Sequence, residues 1–244
     1  MTPELFDGPN GRMAYERIPG DRPGVVWLGG FRSDMTGTKA SRLADWARGA
    51  NRAFLRFDYT GHGASDGAFE DGTIGDWATD AKAAIEQLTN GTQILVGTSM
   101  GAWIACLLAK ATPEKFRGIV LIAPAPDFTE TLMLPGMSAS EREMLMRDGR
   151  LVEPSPYDDE PTVITRQLIE DGRRHLVLKD GVPFQGPVRI LQGMADEDVP
   201  WDHAMRTAEA FASDDVEIYL TKTGDHRLST DQDLDRLEAL IASL

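Results

Sequence analysis

The stretch Gln93-Ile94-Leu95-Val96-Gly97-Thr98-Ser99-Met100-Gly101-Ala102-Trp103-Ile104-Ala105 decides how the chain is read. The apolar run before Gly97 has the length and branching of a buried strand. The run after Gly101 has the composition of a buried helix. Between them stands G-x-S-x-G, a serine on a sharp strand-to-helix turn. Such a turn holds the serine in strained backbone geometry, and side chains at 97 and 101 would collide with neighbouring backbone. The strain aims Ser99 Oγ out of the sheet. The helix N-terminus behind it leaves backbone N–H groups free to face an anion formed there. The five-residue pattern alone occurs by chance in many chains. It gains specificity here from the flanking strand and helix, and from an acid and a histidine that follow in order.

Working outward, short β-type runs alternate with helical ones. Residues 13–16 read as an early edge strand, 25–28 as a buried strand, 53–57 as the next, and 118–122, 188–191 and 216–220 as later ones. Helical spacing of apolar residues marks 38–47, 77–88 and a closing helix over 234–243. This alternation implies an α/β fold, a mostly parallel central sheet with helices on both faces. It breaks between 124 and 186, a proline-rich stretch that includes Pro154 and Pro156 and gathers Met133, Met137, Met144 and Met146. Short helices are expected there at 138–147 and 162–171. The stretch reads as a cap or lid inserted into one domain, so that 1–123 and 187–244 form the core and 124–186 the cap. Methionines adapt to irregular apolar ligands, although cap packing alone would also use them.

The chain has 244 residues, enough for one domain with a substantial core. Its formal net charge of −14 repels nucleic acid and anionic lipid, so nucleic-acid partners are discounted. Cys106 is the lone cysteine, sits in an apolar helix and reads as a small core residue. No apolar run approaches the roughly 18 residues of a membrane span, and no stable membrane insertion is expected. The first residues lack a basic and apolar leader, from which a cytoplasmic protein is expected.

A serine hydroxyl needs a base to take its proton, and the base needs an acid to fix its tautomer. Of the four histidines, His226 follows the last strand, where a base for Ser99 belongs. His62 sits in a Gly-His-Gly turn and reads as structural. His175 lies beside Arg173 and Arg174 and reads as solvated, and His203 as surface. Asp196, Glu197 and Asp198 compete for the acid after the 188–191 strand. Asp196 is favoured because it falls at the strand's C-terminal edge, where catalytic groups gather in open α/β sheets, with Asp198 as runner-up. Asp225 reads as a loop stabiliser. Two backbone N–H groups should hold an oxyanion: that of Met100 and that of Phe31, with Gly30 as the alternative to Phe31. Arg32, beside that loop, is a candidate for binding a substrate carboxylate, against the plainer reading of a surface arginine. No cluster has metal-ligand spacing, and neither metal nor organic cofactor is expected.

Several stretches together resemble one branch of the abhydrolase-domain α/β-hydrolases, the branch of the mitochondrial palmitoyl-protein thioesterase and acyl-glucuronide esterase. They include Gly37-Thr38-Lys39-Ala40, Arg56-Phe57-Asp58-Tyr59, Ser65-Asp66-Gly67, Pro113-Glu114-Lys115, Val199-Pro200-Trp201 and Asp225-His226-Arg227. The resemblance covers most of the chain outside the cap. It implies the α/β-hydrolase fold, with Ser99 as nucleophile, Asp196 as acid and His226 as base. It implies hydrolysis of an acyl ester or thioester, on a small molecule or an acylated protein. Two other classes use this scaffold: a carbon–carbon bond hydrolase of ring-cleavage products and a non-catalytic small-molecule receptor.

Overall fold

The computed structural model describes residues 3–153 and 161–244. In chain order the strands are β1 (Glu4–Asp7), β2 (Arg12–Ile18), β3 (Asp21–Leu28), β4 (Arg52–Phe57), β5 (Gln93–Thr98), β6 (Phe116–Ile122), β7 (Arg150–Glu153), β8 (Thr162–Thr165), β9 (Val188–Gly193) and β10 (Val216–Thr221). The helices are α1 (Thr38–Gly49), α2 (Ile74–Leu88), α3 (Met100–Ala111), α4 (Leu134–Gly136), α5 (Ala139–Asp148), α6 (Arg166–Gly172), α7 (Trp201–Ala210) and α8 (Asp231–Ala242). Among the described residues, eight strands form one sheet in the order β1-β2-β4-β3-β5-β6-β9-β10. The pairs β1–β2 and β2–β4 are antiparallel, and the others run parallel.

The strand interiors are apolar on both faces, as a sheet covered on both sides requires. Along β3, Val25 and Trp27 face one layer and Val26 and Leu28 the other. Val25 joins Ile94, Val96 and Val120 against Leu43 of α1 and Leu240 of α8. Val26 joins Leu95 and Leu121 against Trp77 of α2 and Trp103 of α3. The chain leaves β3 toward β4 on one side, and β5 lies on the other. The order therefore reverses between β3 and β5, and the loops at their C-terminal ends border a crevice. Ser99 and the 29–32 loop are those loops.

Three expectations need correction. The 13–16 strand is not at the edge: β2 is flanked by β1, in register Tyr15 to Glu4. The short run Glu4-Leu5-Phe6-Asp7 is too brief for periodicity to show it. Residues 162–171 are not one helix. Thr162-Val163-Ile164-Thr165, β-branched throughout, pairs antiparallel with β7, and only the following residues wind into α6, which Thr165 caps through its hydroxyl to Leu168 N. His203 is not on the surface but buried on the inner side of α7, where Nε2 donates to Pro126 O at 2.8 Å.

Between β6 and β9 the chain forms a π-helical turn (Thr129–Met133), α4, α5, the β7–β8 hairpin and α6. Residues 154–160, with Pro154 and Pro156, lie outside the described residues. Met137, Leu145, Leu151, Ile164 and Ile169 make a small core of their own here. Ala125, Phe128, Val177, Val182 and Phe184, nearer the two ends of the stretch, pack instead into the main core.

Candidate active site

Ser99 is the residue between β5 and α3, with φ 53° and ψ −116°. A non-glycine residue at positive φ is strained, and the packing around it must hold it there. It does so through two glycines. A Cβ on Gly97 would stand 2.4 Å from Gly101 O, and one on Gly101 would stand 2.1 Å from Leu28 O. The β5–α3 turn is thus pressed against itself and against the end of β3. A serine at a helix N-cap ordinarily turns its oxygen onto its own helix. Ser99 makes no such bond. Its Oγ instead faces His226 Nε2 at 3.2 Å.

His226 Nδ1 donates to Asp196 Oδ2 at 2.9 Å, which fixes the neutral tautomer with its lone pair on Nε2 toward Ser99. Asp196 is itself buried and fully used. Gln192 Nε2 donates to Oδ2 at 3.0 Å, and Asp198 N and Val199 N donate to Oδ1 at 3.0 and 2.9 Å. Burial works to raise the Asp196 pKa, but the bonds from His226, Val199 N and Gln192 outweigh it and hold the carboxyl below its ordinary value. Asp198 supplies a backbone donor to Asp196, and it is Asp196 whose carboxylate meets His226. Gln192 escaped the sequence reading. A polar residue at the end of β9, directly after the apolar pair Ile190-Leu191 and just before the 194–199 loop, was the signal for it.

The 29–32 loop closes the other side. A Cβ on Gly30 would lie 3.5 Å from Ser99 Cβ and from Thr98 O, so the loop backbone runs against Ser99. Gly30 O is held by Ser33 N and Ser33 Oγ, at 3.2 and 2.8 Å. The Phe31 ring is anchored edge-on among Phe69, Trp77 and Phe128. Met100 is the first residue of α3, where a backbone N–H has no partner within the helix. Arg32, at φ 58°, points to the start of β8, with Nη1 donating to Pro161 O at 2.6 Å and Thr162 Oγ1 at 3.2 Å.

A cavity of about 680 Å³ opens over Ser99 and His226. Phe128, Leu132, Met133, Met137 and Ile164 give it an apolar wall from the 124–186 stretch, and Lys39, Glu197, Asp198 and Arg227 a polar one. Met144 and Met146 face solvent instead. A second cavity, of about 490 Å³ beside β2 and β4, shares none of these residues, and its Arg56 is paired with Glu16.

The remaining candidates fall elsewhere. His62 is buried among Tyr59, Phe69 and Trp77, and burial pushes its pKa down to about 4. His175 packs against Gly75 of α2, and its carbonyl accepts from Trp103 Nε1 at 2.9 Å. Asp225 Oδ1 accepts from Arg227 N and Leu228 N, closing the turn after His226. Cys106 is buried, which raises its thiol pKa and leaves it inert. Asp196, Asp198 and His226 offer donor atoms within 4.8 Å of one another, as a cation site would. The atoms Asp196 Oδ2 and His226 Nδ1 are already bonded to each other.

Comparison with known proteins gives consistent results. The family described as serine aminopeptidase, S33, matches residues 24–167. The mouse protein named palmitoyl-protein thioesterase ABHD10, mitochondrial, is 37% identical over 95% of this chain and 78% of its own length. Two solved structures superpose closely. A protein of Agrobacterium vitis S4 has a TM-score of 0.93 at 43% identity, covering 98% of this chain and 95% of that one. Mouse alpha/beta hydrolase domain-containing protein 10 has 0.91 at 32% identity, covering 100% and 98%. The name of the mouse relative corrects one expectation: it places that protein in mitochondria, against the cytoplasmic setting read from the first residues. No helix among the described residues is long and apolar enough to cross a membrane.

Proposed function

The chain belongs to the α/β-hydrolase family described as serine aminopeptidase, S33, and from that premise we propose that it is a serine hydrolase that cleaves acyl esters or thioesters through an acyl-serine intermediate. The observation that carries this reading is the unbroken hydrogen-bond chain from Ser99 Oγ through the His226 ring to Asp196. The thioesterase name of the mouse relative supports the acyl substrate class.

Ser99 Oγ attacks the acyl carbonyl carbon as His226 Nε2 takes the hydroxyl proton. Asp196 stabilises the imidazolium so formed. The carbonyl oxygen, now an anion, is held by the N–H groups of Phe31 and Met100. The loss of one such donor typically raises the barrier by about 2.7–4 kcal/mol. The tetrahedral species collapses, the bond to the leaving oxygen or sulfur breaks, and His226 returns the proton to the departing alcohol or thiol. Water then gives a proton to His226 and attacks the acyl-serine carbonyl, the bond from that carbon to Ser99 Oγ breaks, and His226 returns the proton to Oγ as the acid leaves. The 124–186 stretch acts as a cap whose Phe128, Leu132, Met133, Met137 and Ile164 receive the acyl chain. Arg32 lines the same cavity and is the contact for an acidic leaving group, such as the sugar acid of an acyl glucuronide. In that case Arg32→Ala raises KM for anionic esters and not for neutral ones, and an equal KM for both removes this contact from the reading.

The test is a set of acyl substrates of graded chain length with matched oxygen and sulfur leaving groups, run beside a β-diketone. Hydrolysis of the esters or thioesters, lost by about 10⁴-fold or more in Ser99→Ala, is the expected result. Cleavage of the β-diketone in preference to both would assign the site to carbon–carbon bond hydrolysis instead.

A further inference from the structure

Lys39 is a charged side chain at the cavity wall that the proposed chemistry leaves without a role. It is the second residue of α1, and its ammonium crosses to the loop that follows His226. Nζ donates to Arg227 O, the carbonyl one residue beyond His226, and lies 3.4 Å from Ser229 Oγ. Ser229 Oγ also donates to Arg227 O, at 2.9 Å. That carbonyl is therefore held from two sides, and the bond from α1 is the one that reaches across the fold.

The loop has reason to need such a hold. It is reached by the end of β10 and left by the N-cap of α8, Thr230. Between these points Gly224 O accepts from Ala195 N at 3.0 Å, tying the loop to the acid loop. Leu228 is buried with φ 43°, a strained conformation for a leucine. His226 sits between the Gly224 anchor and this strained residue. A rotation of the Arg227 peptide would relieve Leu228 and swing the imidazole off the line joining Asp196 to Ser99.

We propose that Lys39 is a positioning residue for His226: by holding the Arg227 carbonyl, it keeps the imidazole in line between Asp196 and Ser99. The proposal rests on the serine-hydrolase reading above. It assigns Lys39 no contact with the reacting atoms.

The charge on Lys39 gives the proposal a pH signature. Burial brings its pKa down to about 8. Asp225 in the same loop and Asp233 at the start of α8 draw it upward, and Arg227 works against them. Above that pH the neutral amine donates a weaker bond than the ammonium does. Arginine keeps its charge throughout this range.

The experiment measures kcat and KM for a p-nitrophenyl ester, with thermal melts, for the wild type, Ser99→Ala, Lys39→Met and Lys39→Arg. Misplacement of a catalytic group by about 1 Å can cost about 100-fold, so Lys39→Met should lower kcat by about 10- to 100-fold with KM little changed. Lys39→Arg should restore most of that loss. Wild-type kcat should fall as pH rises past about 8, and Lys39→Arg should hold its kcat to higher pH. The arginine variant and the wild-type pH profile decide the matter even if the methionine variant melts early. Wild-type kcat in a folded Lys39→Met, or the same alkaline fall in Lys39→Arg as in the wild type, overturns the proposal. If Ser99→Ala is inactive and Lys39→Met is not impaired, this inference alone fails. If Ser99→Ala keeps full activity, the reading beneath it fails as well.

Discussion

Asp196 shows how much of the site is decided by single side chains. Its carboxylate accepts from one imidazole, one amide side chain and two backbone N–H groups, and these keep it ionised despite burial. Asparagine would keep the shape but present an amide to His226, favouring the wrong tautomer. We expect Asp196→Asn to fold and to lose kcat by about 10⁴-fold, as steady-state kinetics beside a circular-dichroism spectrum will show. The same carboxylate contributes to acid stability. Its folded pKa is depressed, so its contribution is complete above the unfolded value of about 3.9 and is lost as pH falls through the lower folded value. Melts recorded from neutral pH down to about pH 2 should therefore fall less steeply for Asp196→Asn than for the wild type. An unchanged slope would mean that these bonds do not hold the charge.

Among the elements, the β5–α3 turn is the one the sequence displays most openly, because its glycines, serine and flanking apolar runs are contiguous. Its tightness is testable. Gly101→Ala places a methyl group 2.1 Å from Leu28 O, a backbone atom with little room to move. A loss of about 1–3 kcal/mol is expected, read as a fall of about 2–12 °C in Tm for a chain of this length. A variant melting with the wild type would show that β3 and α3 are not pressed together there. The helices α1, α2 and α8 show in the spacing of their apolar residues, and the inner strands show as short apolar runs. β1 does not, because its four residues become a strand only by pairing with β2. The β7–β8 hairpin was hidden in the same way. The apolar positions of 162–171 fit a helix on paper, and the pairing partner that makes Thr162–Thr165 a strand lies outside that window. His203 looked like surface because the carbonyl it meets, Pro126 O, is 77 positions away in the chain.

Across the whole molecule, the site depends on the sheet bringing remote positions together. Ser99 follows β5, Asp196 follows β9 and His226 follows β10, yet their side chains meet in one line. The order of Ser99, Asp196 and His226 along the chain stands in the sequence, and their meeting does not. Lys39 left no mark in the sequence, because the carbonyl it meets lies 188 positions away. Gln192 beneath Asp196 showed only as a polar residue within β9, and the 124–186 stretch only as a break in the alternation. The most direct measurement treats the folded protein with a fluorophosphonate and locates the adduct by intact mass and peptide mapping. A single adduct on Ser99, abolished in His226→Ala and in heat-unfolded protein, is the predicted result. An unlabelled native protein, or an adduct on a different serine, would contradict it.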